Sequence, residues 1–203
     1  MRLLAAAAAY RLGIGPRPSD RPDRDVVATV AATPPGRALD LGCDGGRNAL
    51  HLARHGWQVT GVDLDAGALA AAGRRAAEAG VDIRLVRGDV TRLGALGIGD
   101  GYDLVVDCGC YHLVPGNRRD AYVDGVTAAA APDALLILVG LTRGGFATAS
   151  EELRDRFTGW RLTAGPVPVP PAEMLDYVSG PAAVRAAIGR GWLTATRFQL
   201  RRC

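Results

Sequence analysis

Lysine is absent from the 203 residues; all 24 basic side chains are arginine. A Walker phosphate loop needs its lysine, and a pyridoxal-phosphate enzyme needs one for its Schiff base, so both chemistries are excluded. Aromatic residues reach only 5%. No apolar run approaches the roughly 20 residues of a membrane span. Cysteine is confined to Cys43, Cys108, Cys110 and Cys203, a spacing that suits neither a disulfide framework nor a tetrahedral zinc centre. Cys108 and Cys110 form a C-x-C that would face one way on an extended segment, so a metal pair is the alternative to small residues at a strand end. The second reading is adopted, and no metal is expected. Reduced thiols point to the cytoplasm. The net charge of +3 is mild and the arginines are scattered, so neither a nucleic-acid nor a membrane partner is expected.

What is present reads as one soluble α/β domain over residues 1–203, as a monomer or homodimer. Hydrophobic residues make up 48%, enough for a substantial core at this length. "MRLLAAAAAY" has the outline of a signal peptide, but alanine favours helix and no clean cleavage context follows. An N-terminal helix over residues 1–12 is expected, within a helical lid spanning 1–35 that continues as "RDVVATVAAT". Strands then alternate with helices: "RALDL", "WQVTGVDL", "DIRLVRGDV", "YDLVVDCG" and "ALLILVG" as buried strands, "RNALHLARHG", "AGALAAAGRRAAEAG" and "RRDAYVDGVTAAAA" as helices. That alternation predicts a parallel, doubly wound sheet. "GWRLTAG" and "WLTATRFQLRR" read as a late antiparallel edge hairpin. Between them, residues 165–190 form an insert beside the substrate pocket, with a proline-rich stretch and a helix at "AAVRAAIGR".

The stretch from Asp40 to Asp63 has the layout of a nucleotide-type cofactor site. A glycine turn after the first strand lets backbone amides approach a ligand, and an acid ending the second strand can accept hydrogen bonds from ribose hydroxyls. The dinucleotide fingerprint fails, however, because Asp44 stands where a glycine is required. A pyrophosphate would meet that negative charge. S-adenosylmethionine carries no phosphate, and its ammonium and sulfonium are cationic.

Here the chain resembles the class I S-adenosylmethionine-dependent methyltransferases, with a Rossmann-like seven-stranded sheet. The family turn is represented by Asp40, Gly42 and Gly46, with Asp44 in place of the middle glycine. "RGDV" is similar to the segment whose acid, here Asp89, meets the adenine amino group, and "YDLVVD" to the fourth-strand motif ending at Asp107. The resemblance runs from about residue 20 to the end. It implies S-adenosylmethionine as cofactor, S-adenosylhomocysteine as product, and cofactor contacts from Asp40, Gly42, Cys43, Asp44, Gly46, Asn48, Asp63, Leu64, Asp89, Val90, Asp107 and Cys108. Asp44 either contacts the ligand's ammonium or has drifted.

"VVDCGCYHLVPGNRRDAY" resembles a subgroup of small-molecule enzymes of the thiopurine, thiol and tellurite-resistance type. It implies His112, Tyr111 and Asp107 as catalytic residues, with Tyr10, Tyr111, His112, Arg118 and Tyr122 against the acceptor. A hydroxyl or thiol acceptor must lose a proton, and histidine has a suitable ordinary pKa, near 6.5. His51 and His55 lie four apart, but "HLARH" lacks a zincin glutamate. The expected activity is methyl transfer to a hydroxyl, thiol or amine of a small, apolar or aromatic molecule. The alternatives are a cyclisation or rearrangement on the same fold, and a non-catalytic ligand-binding protein.

Overall fold

The computed structural model describes residues 15–16, 21–142, 149–179 and 182–203. The whole of the expected helix over 1–12, and Tyr10 with it, therefore lies outside the described residues. The expected sheet forms from β1 (Arg37–Leu41), β2 (Gln58–Asp63), β3 (Arg84–Arg87), β4 (Tyr102–Cys108), β5 (Ala130–Leu141), β6 (Trp160–Pro168) and β7 (Ala195–Arg202). These seven strands run in the order 3-2-1-4-5-7-6. The first five are parallel, and β7 lies antiparallel between β5 and β6.

Alternating side chains feed two apolar layers, as the period of a strand requires. Leu39, Leu41 and Val105 point to one layer, with Tyr122, Val126 and Leu153 of helices α4 (Arg119–Ala129) and α5 (Ser150–Arg156). Ala38, Leu104 and Val106 point to the other, under α1 (Arg24–Ala32), α2 (Arg47–Arg54) and α3 (Ala66–Glu78). A third cluster joins Val139 and Ala195 to Met174 of α6 (Pro171–Tyr177) and Ile188 of α7 (Ala182–Gly189). Val26, at 0% exposure, anchors α1 in the core, so α1 packs within the helical layer.

The helix starts follow local chemistry. Asp23 caps α1 by accepting from the Asp25 N–H, and Asp65 caps α3 by accepting from Gly67 and Ala68. Such caps contribute about 1 kcal/mol each. The third strand is shorter than "DIRLVRGDV", because Asp89 caps a tight turn over Val90–Ala95. The proline-rich stretch is partly strand: β6 runs on to Pro168, which an outermost strand tolerates. Helices α5 and α6 were not expected. Glu151 and Glu152 in the first turn of α5, and Arg154 and Arg156 in its last, complement the helix dipole.

Strand order reverses between β1 and β4. The crevice outside their carboxyl ends is where an open α/β sheet takes its ligand. Residues Gly15–Pro16 pair with Val178–Ser179, joining the N-terminal segment to the 165–190 insert at that end. No helix among the described residues is long and apolar enough to cross a membrane.

Candidate cofactor and acceptor site

The turn after β1 is built on left-handed backbone. Gly42 has φ 66°, and a Cβ there would lie 2.8 Å from the Cys110 Cβ, so only glycine fits. The N–H groups of Gly42 and Cys43 both donate to the Val62 carbonyl, at 2.8 and 3.1 Å. Asp44 has φ 48°, which aspartate tolerates better than most residues. Its N–H donates to Asp63 Oδ2 at 2.9 Å, while Asp63 Oδ1 accepts from the Asp65 N–H at 2.9 Å. Asp44 therefore belongs to the turn: its backbone ties the acid of β2 to the loop of β1. Arg75 of α3 donates to the Gly45 carbonyl at 2.6 Å and fixes the far side of the turn. Burial raises the Asp63 carboxyl above its ordinary pKa, against the pull of those two N–H donors.

Asp40 is 2% exposed, and its Oδ2 accepts from the Ala49 N–H at 3.1 Å, holding the start of α2. Burial pushes its pKa up to about 7, opposed by the Arg47 charge. This has a measurable consequence without cofactor. A carboxyl whose folded pKa is raised stabilises the protein below its unfolded pKa and loses that contribution as pH rises through its folded value. Asp40→Asn cannot ionise. Between pH 4 and 8, wild type should lose stability relative to Asp40→Asn by more than about 1 kcal/mol, read by urea unfolding. Parallel curves would show that Asp40 does not titrate with folding.

The other expected cofactor residues divide. Leu64 is 52% exposed at the end of β2, and Gly46 adopts φ 79° at the head of α2. The Cys43 thiol is turned inward against Gly61, and Val90 is core, so their side chains face away from the crevice. Cys108 is half-buried between two apolar clusters. Asn48 is corrected: its carboxamide oxygen accepts from the Asp23 N–H at 2.9 Å and tethers α1. Asp89 accepts from the N–H and hydroxyl of Thr91, at 2.9 and 2.8 Å, and from Arg118 at 2.7 Å. Although burial acts to raise its pKa, these donors together hold it below the ordinary value. Arg118, expected against the acceptor, is thus paired at the Asp89 end.

The turn after β4 reassigns three residues. Asp107 is fully buried; it accepts from the N–H of Cys110 at 2.8 Å, from that of Tyr111 at 2.9 Å, and from the Tyr122 hydroxyl at 2.6 Å. Burial pushes its pKa up to about 6 despite those donors. Asp107 organises the loop from within, its carboxylate taken up by these internal donors. Tyr111 and Tyr122 are both at 0% exposure with ring centroids 5.2 Å apart, and are core residues, because an apolar slot under α4 and Phe157 takes their rings. Arg119 braces the same loop through Glu152, at 2.6 Å, and the Val114 carbonyl, at 3.1 Å. His112 lies in the short turn Tyr111–Leu113 after β4. It is half-buried, and its Nδ1 is buried with no partner among the described residues. Burial, and secondarily the Arg119 charge, lowers its pKa to about 4.

One cluster went unforeseen. Arg197 of β7, 1% exposed, bonds Asp23 at 3.0 Å and also pairs with Glu173 of α6. A lone arginine inside the strand "ATRFQL", and an aspartate just ahead of a helix, were its two signals.

The donor set suits a cationic ligand without phosphates. The carboxylates of Asp40, Asp44, Asp63 and Asp89 lie at and around the turn, and Gly42 lets it pack against Cys110. A family model described as a methyltransferase domain matches residues 38–133. The 2-heptyl-1-hydroxyquinolin-4(1H)-one methyltransferase of Mycobacteroides abscessus is 29% identical over 145 residues, covering 71% of this chain and 57% of that one. Among solved structures, TehB from Haemophilus influenzae superposes with a TM-score of 0.67 at 18% identity, covering 89% of this chain and 62% of that one. The Burkholderia thailandensis 1,6-didemethyltoxoflavin-N1-methyltransferase, solved with S-adenosylhomocysteine, has a TM-score of 0.66 at 18% identity, covering 88% and 77%. The chain spans only 17% of the length of one curated relative and 78% of another. Fold, turn and family match agree: residues 38–133 carry a methyltransferase domain, and the similar structure solved with S-adenosylhomocysteine indicates S-adenosylmethionine as its cofactor.

Proposed function

We propose that the protein methylates a hydroxyl, thiol or amine of a small, apolar or aromatic molecule, with His112 as the group that takes the acceptor's proton. The observation that carries this is the His112 imidazole, set on the loop after β4 with a buried, unpartnered Nδ1. Bound in the crevice, S-adenosylmethionine supplies an electrophilic methyl group on a cationic sulfur. In this reading Asp63 and the glycine turn hold its ribose and methionine ends, and Asp89 its adenine. His112, with its pKa lowered to about 4, is unprotonated at neutral pH and has a lone pair for the acceptor's proton, though as a weaker base than an ordinary histidine. Orientation contributes as much as basicity, because an in-line displacement is sensitive to alignment. Asp107 serves this indirectly, by fixing the backbone of Cys110 and Tyr111 next to His112. The M. abscessus relative's name, which specifies a hydroxyquinolinone, supports an aromatic acceptor.

The test is stoichiometry. Purified protein is given S-adenosylmethionine and a panel of phenols, quinolones, thiols and amines. S-adenosylhomocysteine should appear one for one with a methylated product. Product without S-adenosylhomocysteine would point to cyclisation or rearrangement, and tight cofactor binding without turnover to a non-catalytic protein.

A further inference from the structure

The guanidinium of Arg197 carries five N–H donors, and a buried charged donor left without a partner is costly. Nε donates to Asp23, at 3.2 Å to Oδ2, and Nη2 to Asp23 and Glu173. Nη1 is buried with no partner among the described residues. Its place in the fold gives that gap a meaning. In the sheet register Arg197 pairs with Val139, which pairs with Cys108 at the end of β4. Arg197 therefore stands level with the start of the loop that carries His112.

The same side chain joins two elements far apart in sequence. Asp23 begins α1, and Glu173 lies on α6. These elements are tied again by an Arg21–Asp176 contact at 3.1 Å, and the segments beside them by the Gly15–Pro16 and Val178–Ser179 pairing. Tyr177 donates to Glu173 at 2.8 Å, and the Arg47 guanidinium lies 4.0 Å from the Tyr177 ring centroid. Polar groups thus converge where the N-terminal segment meets the insert.

From this, and resting on the methyl-transfer reading above, we infer that Arg197 Nη1 anchors an oxygen atom of an uncharged acceptor, enclosed between the start of α1 and α6. The lack of charge follows from the surroundings. Asp23 and Glu173 already bond Arg197, and the Asp25 carboxylate is 4.0 Å from Nε. Arg24 pairs with Asp25 at 3.5 Å, and Arg47 is a further cation near this group. Three carboxylates face three guanidinium groups, so the cluster is balanced, and an anionic acceptor would bring an unpaired charge into a buried site. A carbonyl or hydroxyl oxygen fills the donor without adding charge. Arg197 then sets which molecules are held, and His112 acts on the atom that reacts.

The probes are 4-hydroxyquinoline, quinoline and quinoline-4-carboxylate, titrated by calorimetry into protein saturated with S-adenosylhomocysteine. 4-Hydroxyquinoline should bind about tenfold or more tighter than either of the others, the span of one hydrogen bond to a charged donor. Arg197→Lys, which keeps the charge but not the fork, should abolish the preference. If that variant does not fold, a crystal structure of the wild-type complex decides. The ligand oxygen should lie within about 3.2 Å of Nη1. A water on Nη1 with the quinoline elsewhere, no preference among the probes, or no binding of any of them would overturn the inference. S-adenosylhomocysteine production on the wider acceptor panel is scored separately. Methyl transfer without an Arg197 preference would leave the proposed function standing and remove the anchor, and preference without transfer would do the reverse.

Discussion

His112→Ala should lower turnover by about 10²–10⁴-fold, the usual contribution of general-base assistance, on any acceptor that must lose a proton. Cofactor affinity should hardly move, since the groups proposed for ribose and adenine, Asp63 and Asp89, sit on other loops. The pH dependence is the sharper readout. With its folded pKa lowered to about 4, His112 stays unprotonated through the neutral range and loses its basic form only as pH falls through that value. The acid limb of kcat/KM should therefore lie near pH 4, well below the ordinary histidine value of about 6.5. The mutant's deficit should shrink as pH approaches the acceptor's own pKa, because solvent then supplies the deprotonated form. A neutral amine acceptor needs no such help and should show a much smaller loss. Equal rates for wild type and mutant on a phenol across the whole range would make His112 a structural residue.

Asp63→Ala should weaken S-adenosylmethionine binding more than tenfold, measured by calorimetry. A hydrogen bond to a charged group contributes roughly 1.5–3 kcal/mol, and about 1.4 kcal/mol is a factor of ten. The structure adds a second reason. Asp63 Oδ2 receives the Asp44 N–H, so its loss also frees the glycine turn. Asp63→Asn separates the two contributions: its carboxamide oxygen can still take one N–H, but the charge is gone. If the charge on Asp63 matters most, Asn should resemble Ala; if the tether matters most, Asn should retain most of the affinity. Unchanged affinity in a folded Asp63→Ala protein would place the ribose elsewhere.

Much of the fold was legible because each strand and helix repeats a short pattern. "RALDL" and "ALLILVG" are apolar runs of strand length, and Asp40 and Asp63 mark where two of them meet the crevice. The cofactor side was legible because a left-handed turn leaves glycines at fixed places. The acceptor side was not. Tyr111, Tyr122 and Asp107 fit a ligand-facing motif equally well on paper, since a polar aromatic reads the same whether it meets a substrate or a buried carboxylate. Only the packing of α4 over β4 turns both tyrosines inward and gives Asp107 three internal donors. Arg118 and Asp89 are 29 residues apart, and Arg197 and Asp23 are 174 apart. No periodicity links such pairs; the sheet order does.

The strand order also decides how this molecule can meet copies of itself. A sheet that is not closed has two margins, and each could in principle be lengthened by a neighbour's strand. At one margin β3 offers only Arg84–Arg87, with a cation at each end, so two such strands laid side by side would bring like charges together. At the other margin β6 contains Pro166 and Pro168, which have no N–H to give, and its register with β7 is broken at two points. The proline-rich stretch thus acts as a border. Neither margin invites a neighbour's strand, so any self-association of this chain is expected through helices or loops.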